Sequence, residues 1–214
     1  MKKMMAALLA GAMLMMATSA MATQINNAPL SVLFTAGDGN SNLHFAVDNN
    51  NGVEVGLKAK LRYAGDVIPV GNVYNVPTGY QTSPTTYANW NFDFSLNLLA
   101  TGLYNVVLSY DVDPSAGQNY KQLAFPMPGP NGYQNSWNYG MDFLQTGFNA
   151  NQNATYDIDL SVYSLNSDLL ADSHIQVVVG DGAAPVPEPG TMMLLGIGMA
   201  GLAIFGKRRM NKEA

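Results

Sequence analysis

Between residues 53 and 63 the chain alternates without a break. Val53, Val55, Leu57, Ala59, Leu61 and Tyr63 are apolar, and Glu54, Gly56, Lys58, Lys60 and Arg62 stand between them. Period two over eleven residues predicts a strand with one apolar and one charged face. A helix would scatter those charges around its axis. Trp90, Phe92, Phe94, Leu96 and Leu98 alternate with Asn91, Asp93, Ser95 and Asn97, which predicts a half-buried strand rich in aromatic area. Tyr156, Ile158, Leu160 and Val162 alternate with Asp157, Asp159, Ser161 and Tyr163 in the same way. Further strands are expected over residues 30–35, 43–47, 103–112 and 173–179, with a short one over 121–125. Asn51-Gly52 is a strong hairpin signal, and Thr101-Gly102 reads as a turn. Residues 64–89 hold Gly65, Pro69, Gly71, Pro77, Gly79 and Pro84 and are expected to be mostly loop, with short extended pieces around Val67 and Val73. Residues 126–132 read as a proline-rich loop, and 133–148 show no clean period. Seven to ten strands at short spacing, with hardly any helical pattern, predict an all-β chain. The expected architecture is an antiparallel β-sandwich of jelly-roll or immunoglobulin-like type.

The two ends of the chain follow a different pattern. Met1-Lys2-Lys3 is a basic start, residues 4–17 are apolar, and Ala20-Met21-Ala22 is a small-x-small cleavage pattern. This reads as a secretory signal peptide over residues 1–22, cut after Ala22, with Ala20 the alternative and an uncleaved signal anchor the rival. At the other end, Pro185, Pro187 and Pro189 fix φ and remove backbone donors, so residues 184–190 form an extended linker. Residues 191–206 carry no charge. As a helix they cover about 24 Å at 1.5 Å per residue, a short transmembrane span beside a bilayer core roughly 30 Å thick. Lys207, Arg208 and Arg209 follow at once; by the positive-inside rule they hold residues 207–214 in the cytoplasm and leave the rest of the chain outside.

Pro187-Glu188-Pro189, the Gly-Thr after it, the short Gly- and Leu-rich span and the closing basic cluster resemble the PEP-CTERM sorting signal of Gram-negative bacteria, over roughly residues 185 to 209. The resemblance implies recognition and cleavage near Pro-Glu-Pro by a membrane protease, exosortase. It implies release or transfer to the cell surface, in systems associated with exopolysaccharide and biofilm. A plain C-terminal anchor is the alternative, but an anchor has no need of the Pro-Glu-Pro. Phe92-Asp-Phe-Ser95, residues 108–115, residues 134–138 and Val179-Gly-Asp-Gly182 also resemble a recurrent ectodomain type among PEP-CTERM proteins, which brings no assigned activity.

With both ends set aside, residues 23–183 make one extracellular domain, long enough to bury a core. It holds thirteen acidic residues against four basic ones, Lys58, Lys60, Arg62 and Lys121, a net charge of −9. Nucleic acid is a poor partner for such a surface. There is no cysteine, so the domain holds by burial alone, and thiolate zinc sites and cysteine catalysis are excluded. The histidines, His44 and His174, lie among apolar strand residues, and no Gly-x-Ser-x-Gly turn occurs. No catalytic residues are assigned. A secreted hydrolase is the third reading, after a structural or adhesive protein and a carbohydrate-binding module. No cofactor is expected, calcium being the one candidate. Asp38-x-Asn40-x-Asn42 begins like a calcium loop but lacks the later Gly and Glu. Asp111 and Asp113 place two carboxylates on one face at a strand end, where like charges repel without a cation. Tyr74, Tyr80, Tyr87, Trp137 and Tyr139 lie in loop-like stretches and could present an aromatic platform to a polysaccharide.

Overall fold

The computed structural model describes residues 23–37, 41–82 and 86–183. The signal peptide with Ala20 and Ala22, the linker, the membrane span and the basic tail lie outside the described residues, as do Asp38 and Asn40. The domain is all-β. Its nine strands are β1 (Ile25–Ala28), β2 (Phe45–Asn50), β3 (Val53–Leu61), β4 (Gly65–Asp66), β5 (Val73–Val76), β6 (Trp90–Asp111), β7 (Tyr120–Trp137), β8 (Ala154–Tyr163) and β9 (Leu169–Val179). The one helical piece among the described residues is a 3-10 turn at Asp142–Leu144. All nine strands join in a single sheet, ordered β1-β2-β3-β6-β8-β9-β5, with β4 on β3 and β7 on β6.

The sheet curls because β6 belongs to two places at once. Residues 90–98 of β6 pair with β3, and residues 105–110 pair with β8. β7 follows β6 along both parts. The expected turn at Thr101-Gly102 does not reverse the chain. It is a bulge: between the pairs Leu98–Asn131 and Gly102–Gly129, three residues of β6 face one of β7. A bulge bends a strand and adds twist. The bend is tight enough that a Cβ on Gly129 would lie 2.4 Å from the Ala100 carbonyl oxygen. Both leaves of the sheet turn their apolar faces to one core, which holds Val55, Leu57, Trp90, Phe92, Phe94, Val106, Leu108, Ile158, Leu160, Ile175 and Val177. Trp90 from the first leaf lies 6.4 Å from Tyr156 of the second, ring centre to ring centre. After β4 the chain reaches β5 in six residues, so it spans at most about 25 Å. It then pairs with the far edge of the sheet, on β9. That pair is parallel, a departure from the expected all-antiparallel order.

Several expectations hold and several do not. The Asn51-Gly52 hairpin is present, with φ of 52° and 75° and Asn50 opposite Val53, as a two-residue type I′ loop requires. Residues 126–132 are not a loop. β7 runs through Pro126, Pro128 and Pro130. Among the described residues its only partner strand is β6, and prolines at alternate positions on an edge strand can turn their missing donors to the open side. Residues 30–35 are not a strand. They form part of a strap, residues 29–37 and 41–44, laid across the outer face of β3 and β6. Side chains of the sheet hold its backbone: the Ser31 amide donates to Glu54 at 3.1 Å and the Thr35 amide to Gln134 at 3.0 Å.

The strap buries the face of β3 that the alternation marks as charged. Leu30, Phe34, Phe45 and Val47 form a second small core there. Gly56 leaves room for Leu30, whose Cδ2 a Cβ would meet at 2.6 Å. Lys58 is 0 % exposed and Lys60 2 %. The Lys58 Nζ pairs with Asp66 at 2.7 Å, donates to the Ser41 carbonyl at 2.9 Å and lies 4.7 Å from the Phe45 ring centre. Burial pushes the Asp66 carboxyl up, but the Lys58 ammonium outweighs it and holds it below its ordinary range. Lys60 pairs with the buried Asp93 at 3.2 Å; burial pushes the Asp93 carboxyl up against the pull of Lys60. Buried pairs tolerate joint replacement far better than loss of one member. Asp93→Ala should therefore lower the unfolding free energy by about 3–5 kcal/mol in urea titrations. Lys60→Met combined with Asp93→Leu should recover most of that loss, and a double variant no better than the single would contradict this account of the strap.

Candidate functional site

The outer face of the second leaf gathers a set of polar side chains from four strands. Strand alternation puts Asp157, Asp159 and Ser161 of β8 on one face, opposite Gln176, His174 and Asp172 of β9. Ser109 of β6 lies beside Asp159, and Gln122 of β7 beside Ser109. Ser109, Tyr120, Gln122, Asp159, Ser161 and Asp172 line a shallow tray. Its internal bonds are direct: the Ser161 hydroxyl donates to Asp172 at 2.7 Å, and Gln122 donates to Ser109 at 3.1 Å. Gln176 and Gln118 donate to the two oxygens of Asp157, at 3.1 and 2.9 Å. Burial and the neighbouring Asp159, Asp157 and Asp111 charges push the Tyr120 phenol up to about 12.

His174 sits at the edge of this set. Its Nδ1 lies 2.7 Å from Asp159 and its Nε2 3.6 Å from Asp157. The hydrogen bond to Asp159 holds the imidazole above its ordinary range, against the effect of burial. Both ring nitrogens face carboxylates, so the ring is built to be charged and has no nitrogen turned to a serine. The backbone of His174 also binds the side chain of Gln24, which ties the chain before β1 to β9. His44 pairs with Asn27 at 2.7 Å, a contact between the strap and β1.

The other candidates are dispersed. Asp111 and Asp113 lie at the end of β6, each using an oxygen on local backbone. Asp111 accepts from the amides of Asp113 and Asn119 at 2.9 and 2.8 Å. Asp113 accepts from Ser115 at 2.8 Å, which holds its carboxyl below its ordinary range. Asn42 spends its carboxamide on the strap, through Phe34 and Val32. Among the described residues no three His, Asp or Glu side chains are grouped to hold a metal. The aromatic platform does not form. Tyr74 and Tyr139 are fully buried, with hydroxyls donating to the His44 and Asp111 carbonyls. Trp137 is wedged edge-on against Phe94 at 4.8 Å. Tyr80 and Tyr87 lie outside the named strands, where the Gln81 amide donates to the Tyr87 carbonyl at 3.0 Å.

The chain leaves the sheet at the end of β9 under firm hold. Gly180 donates to the Val76 carbonyl at 2.8 Å, Gly182 to Val179 at 3.1 Å, and Ala183 to the Thr155 hydroxyl at 3.1 Å. Immediately beyond this clamp, residues 185–209 match the PEP-CTERM protein-sorting motif. The match takes in Pro187, Glu188, Pro189, Lys207, Arg208 and Arg209. No curated protein matches the chain, and no solved structure does.

A histidine whose folded pKa is raised contributes stability that is full below its unfolded pKa of about 6.5 and is lost as pH rises through the higher folded value. Asp48, Asp93 and Asp172 are also raised, mainly by burial, and act in the same direction from lower pH. The melting temperature should thus fall between pH 6 and 8. His174→Gln should remove the part of that fall lying above pH 6.5. An unchanged slope in the variant would show that the histidine contacts do not govern it.

Proposed function

We propose that this chain, whose PEP-CTERM motif supports an exosortase-sorted, secreted protein of the cell surface or extracellular matrix, carries a folded domain that is a non-enzymatic structural or adhesive component of the exopolysaccharide matrix. One observation carries the reading: the sorting motif starts two residues past a clamped sheet terminus, so removing it need disturb none of the described core. In this reading the domain is a β-sandwich made by folding one sheet about the β6 bulge, a reading favoured by the core shared between the leaves. The low charge, the absence of cysteine and the occupied nitrogens of His174 all suit a passive extracellular role. The host envelope, in this reading, is Gram-negative. Exosortase and, transiently, the inner membrane are the partners during export.

A carbohydrate-binding module is the second reading. The tray favours it, since Tyr120 borders the carboxylates and amides of Asp159, Asp172 and Gln122, the mix of an aromatic surface and fixed polar groups that sugar sites use. Loss of glycan retention in Tyr120→Ala would support this reading, and retention unchanged would remove it.

The sorting step has its own test. Glu188→Ala should leave an uncleaved form in the membrane fraction, seen as a larger species on immunoblots, with less protein outside the cell. Normal processing of that variant would contradict recognition through Pro-Glu-Pro.

A further inference from the structure

Three of the domain's four basic residues stand on one strand and its continuation, at 58, 60 and 62. Two of them answer carboxylates: Lys58 pairs with the partly buried Asp66 and Lys60 with the buried Asp93. Arg62 makes no ion pair among the described residues. It sits just past β3, where Lys60, Arg62, Asn91, Ser136 and Met141 line a cavity of about 150 Å³. The Arg62 Nε–H is buried and has no hydrogen-bond partner among the described residues. An unmade bond on a charged group is expensive to leave buried. The rest of the polar lining is already spoken for, since Asn91 donates to the Ser136 hydroxyl at 3.0 Å and accepts from Asn138 at 2.7 Å.

Two aromatic rings frame the guanidinium. Its centre lies 5.0 Å from the Tyr63 ring and 5.7 Å from the Tyr87 ring, and an Nη donates to the Tyr63 hydroxyl at 3.1 Å. Tyr63 is 66 % exposed and is held at φ 60°, a left-handed conformation that is uncommon for a bulky residue. The strained backbone keeps a large ring beside the cation in open solvent, where it gains little from burial.

We propose that this pocket binds the carboxylate of an acidic sugar, a uronic acid residue in an extracellular polysaccharide. The inference rests on the matrix role proposed above and names its ligand class. A planar carboxylate matches the guanidinium fork, taking the vacant Nε–H and an Nη–H together. The exposed ring of Tyr63 offers a face to the C–H side of the sugar. That need for an apolar face beside the anion favours a sugar acid over an acidic peptide. Lys58 and Lys60 are buried and paired with Asp66 and Asp93, so on a domain of net charge −9 Arg62 is the cation of this region left to meet an anion.

The test is affinity electrophoresis and titration calorimetry on the processed protein recovered from outside the cell. The probes are polygalacturonate, the same polymer with its carboxyls reduced, dextran and polyglutamate. Polygalacturonate should retard the protein and dextran and the reduced polymer should not, with retardation falling as salt rises. Arg62→Gln should weaken binding about tenfold or more, the loss expected for a charged hydrogen-bonding partner. Lys121→Gln, which removes a cation elsewhere, should change it less than twofold. Tyr63→Gly suits the left-handed backbone, so it removes the ring without strain and should weaken binding about threefold or more. It also guards against an Arg62→Gln variant that fails to fold, which its melting curve would reveal. No retardation of the wild type, equal binding of the reduced polymer, equal binding of polyglutamate, or full binding by a folded Arg62→Gln protein would each overturn the proposal. Export is read separately: Arg62→Gln should be processed and secreted like the wild type, so a failed sugar assay leaves the sorting assignment standing.

Discussion

One strand holds this domain together. β6 carries Trp90, Phe92, Phe94, Leu96 and Leu98 into the core beside β3, bends at a bulge, and carries Val106, Leu108 and Tyr110 into the same core beside β8. With no disulfide to close the structure, stability has to come from burial, and burial requires both leaves to face each other. A strand that changes neighbours halfway meets that requirement within a single hydrogen-bonded sheet. Gly129 and the three-against-one bulge are the local cost of the bend, and the long edge strand β7 follows it without interruption.

The second constraint is the strap. A sheet of this kind can leave its outer face in water, but here β3 is buried on both sides. The strap's backbone amides need partners once they lie on the sheet; the polar outer side chains supply Glu54 for Ser31 and Gln134 for Thr35, and the strap's own Asn42 serves Phe34. Beneath it Lys58 and Lys60 face Asp66 and Asp93 and the rings of Phe34 and Phe45. The charged layer is thus the adhesive between strap and sheet. Where the strap's cover ends, Arg62 is left as the one cation of this strand without a described carboxylate.

The parts of this structure legible in the sequence are those set by local pattern. The alternations of 53–61, 90–98 and 156–162 appear as strands, and Asn51-Gly52 turns where the dipeptide demands it. What could not be read is pairing. Whether Thr101-Gly102 reverses the chain or only bends it depends on β7, whose three prolines disguise it as loop. Lys58 and Lys60 look solvent-facing until the strap is placed on them, and Leu30 and Phe34 look like strand residues because their partners are side chains. The outer-face set of Asp157, Asp159, Asp172 and His174 had a visible signal in the alternation of β8, but its assembly needs the register of β8 on β9. Tyr74 and Tyr139 lay in proline- and glycine-rich surroundings that suggest loops, yet their rings fill the core and their hydroxyls find carbonyls.

The tail is legible from its sequence. Its motif depends on chain order alone, and the sheet ends in a clamp through Gly180, Gly182 and Ala183 before the motif begins. The central claim is that a self-contained domain carries a removable address. Intact-mass spectrometry of the native protein recovered outside the cell tests this most directly. The account predicts a species that lacks residues 1–22 and ends near Pro187-Glu188-Pro189. A mature protein still carrying Phe205 through Arg209 would contradict it.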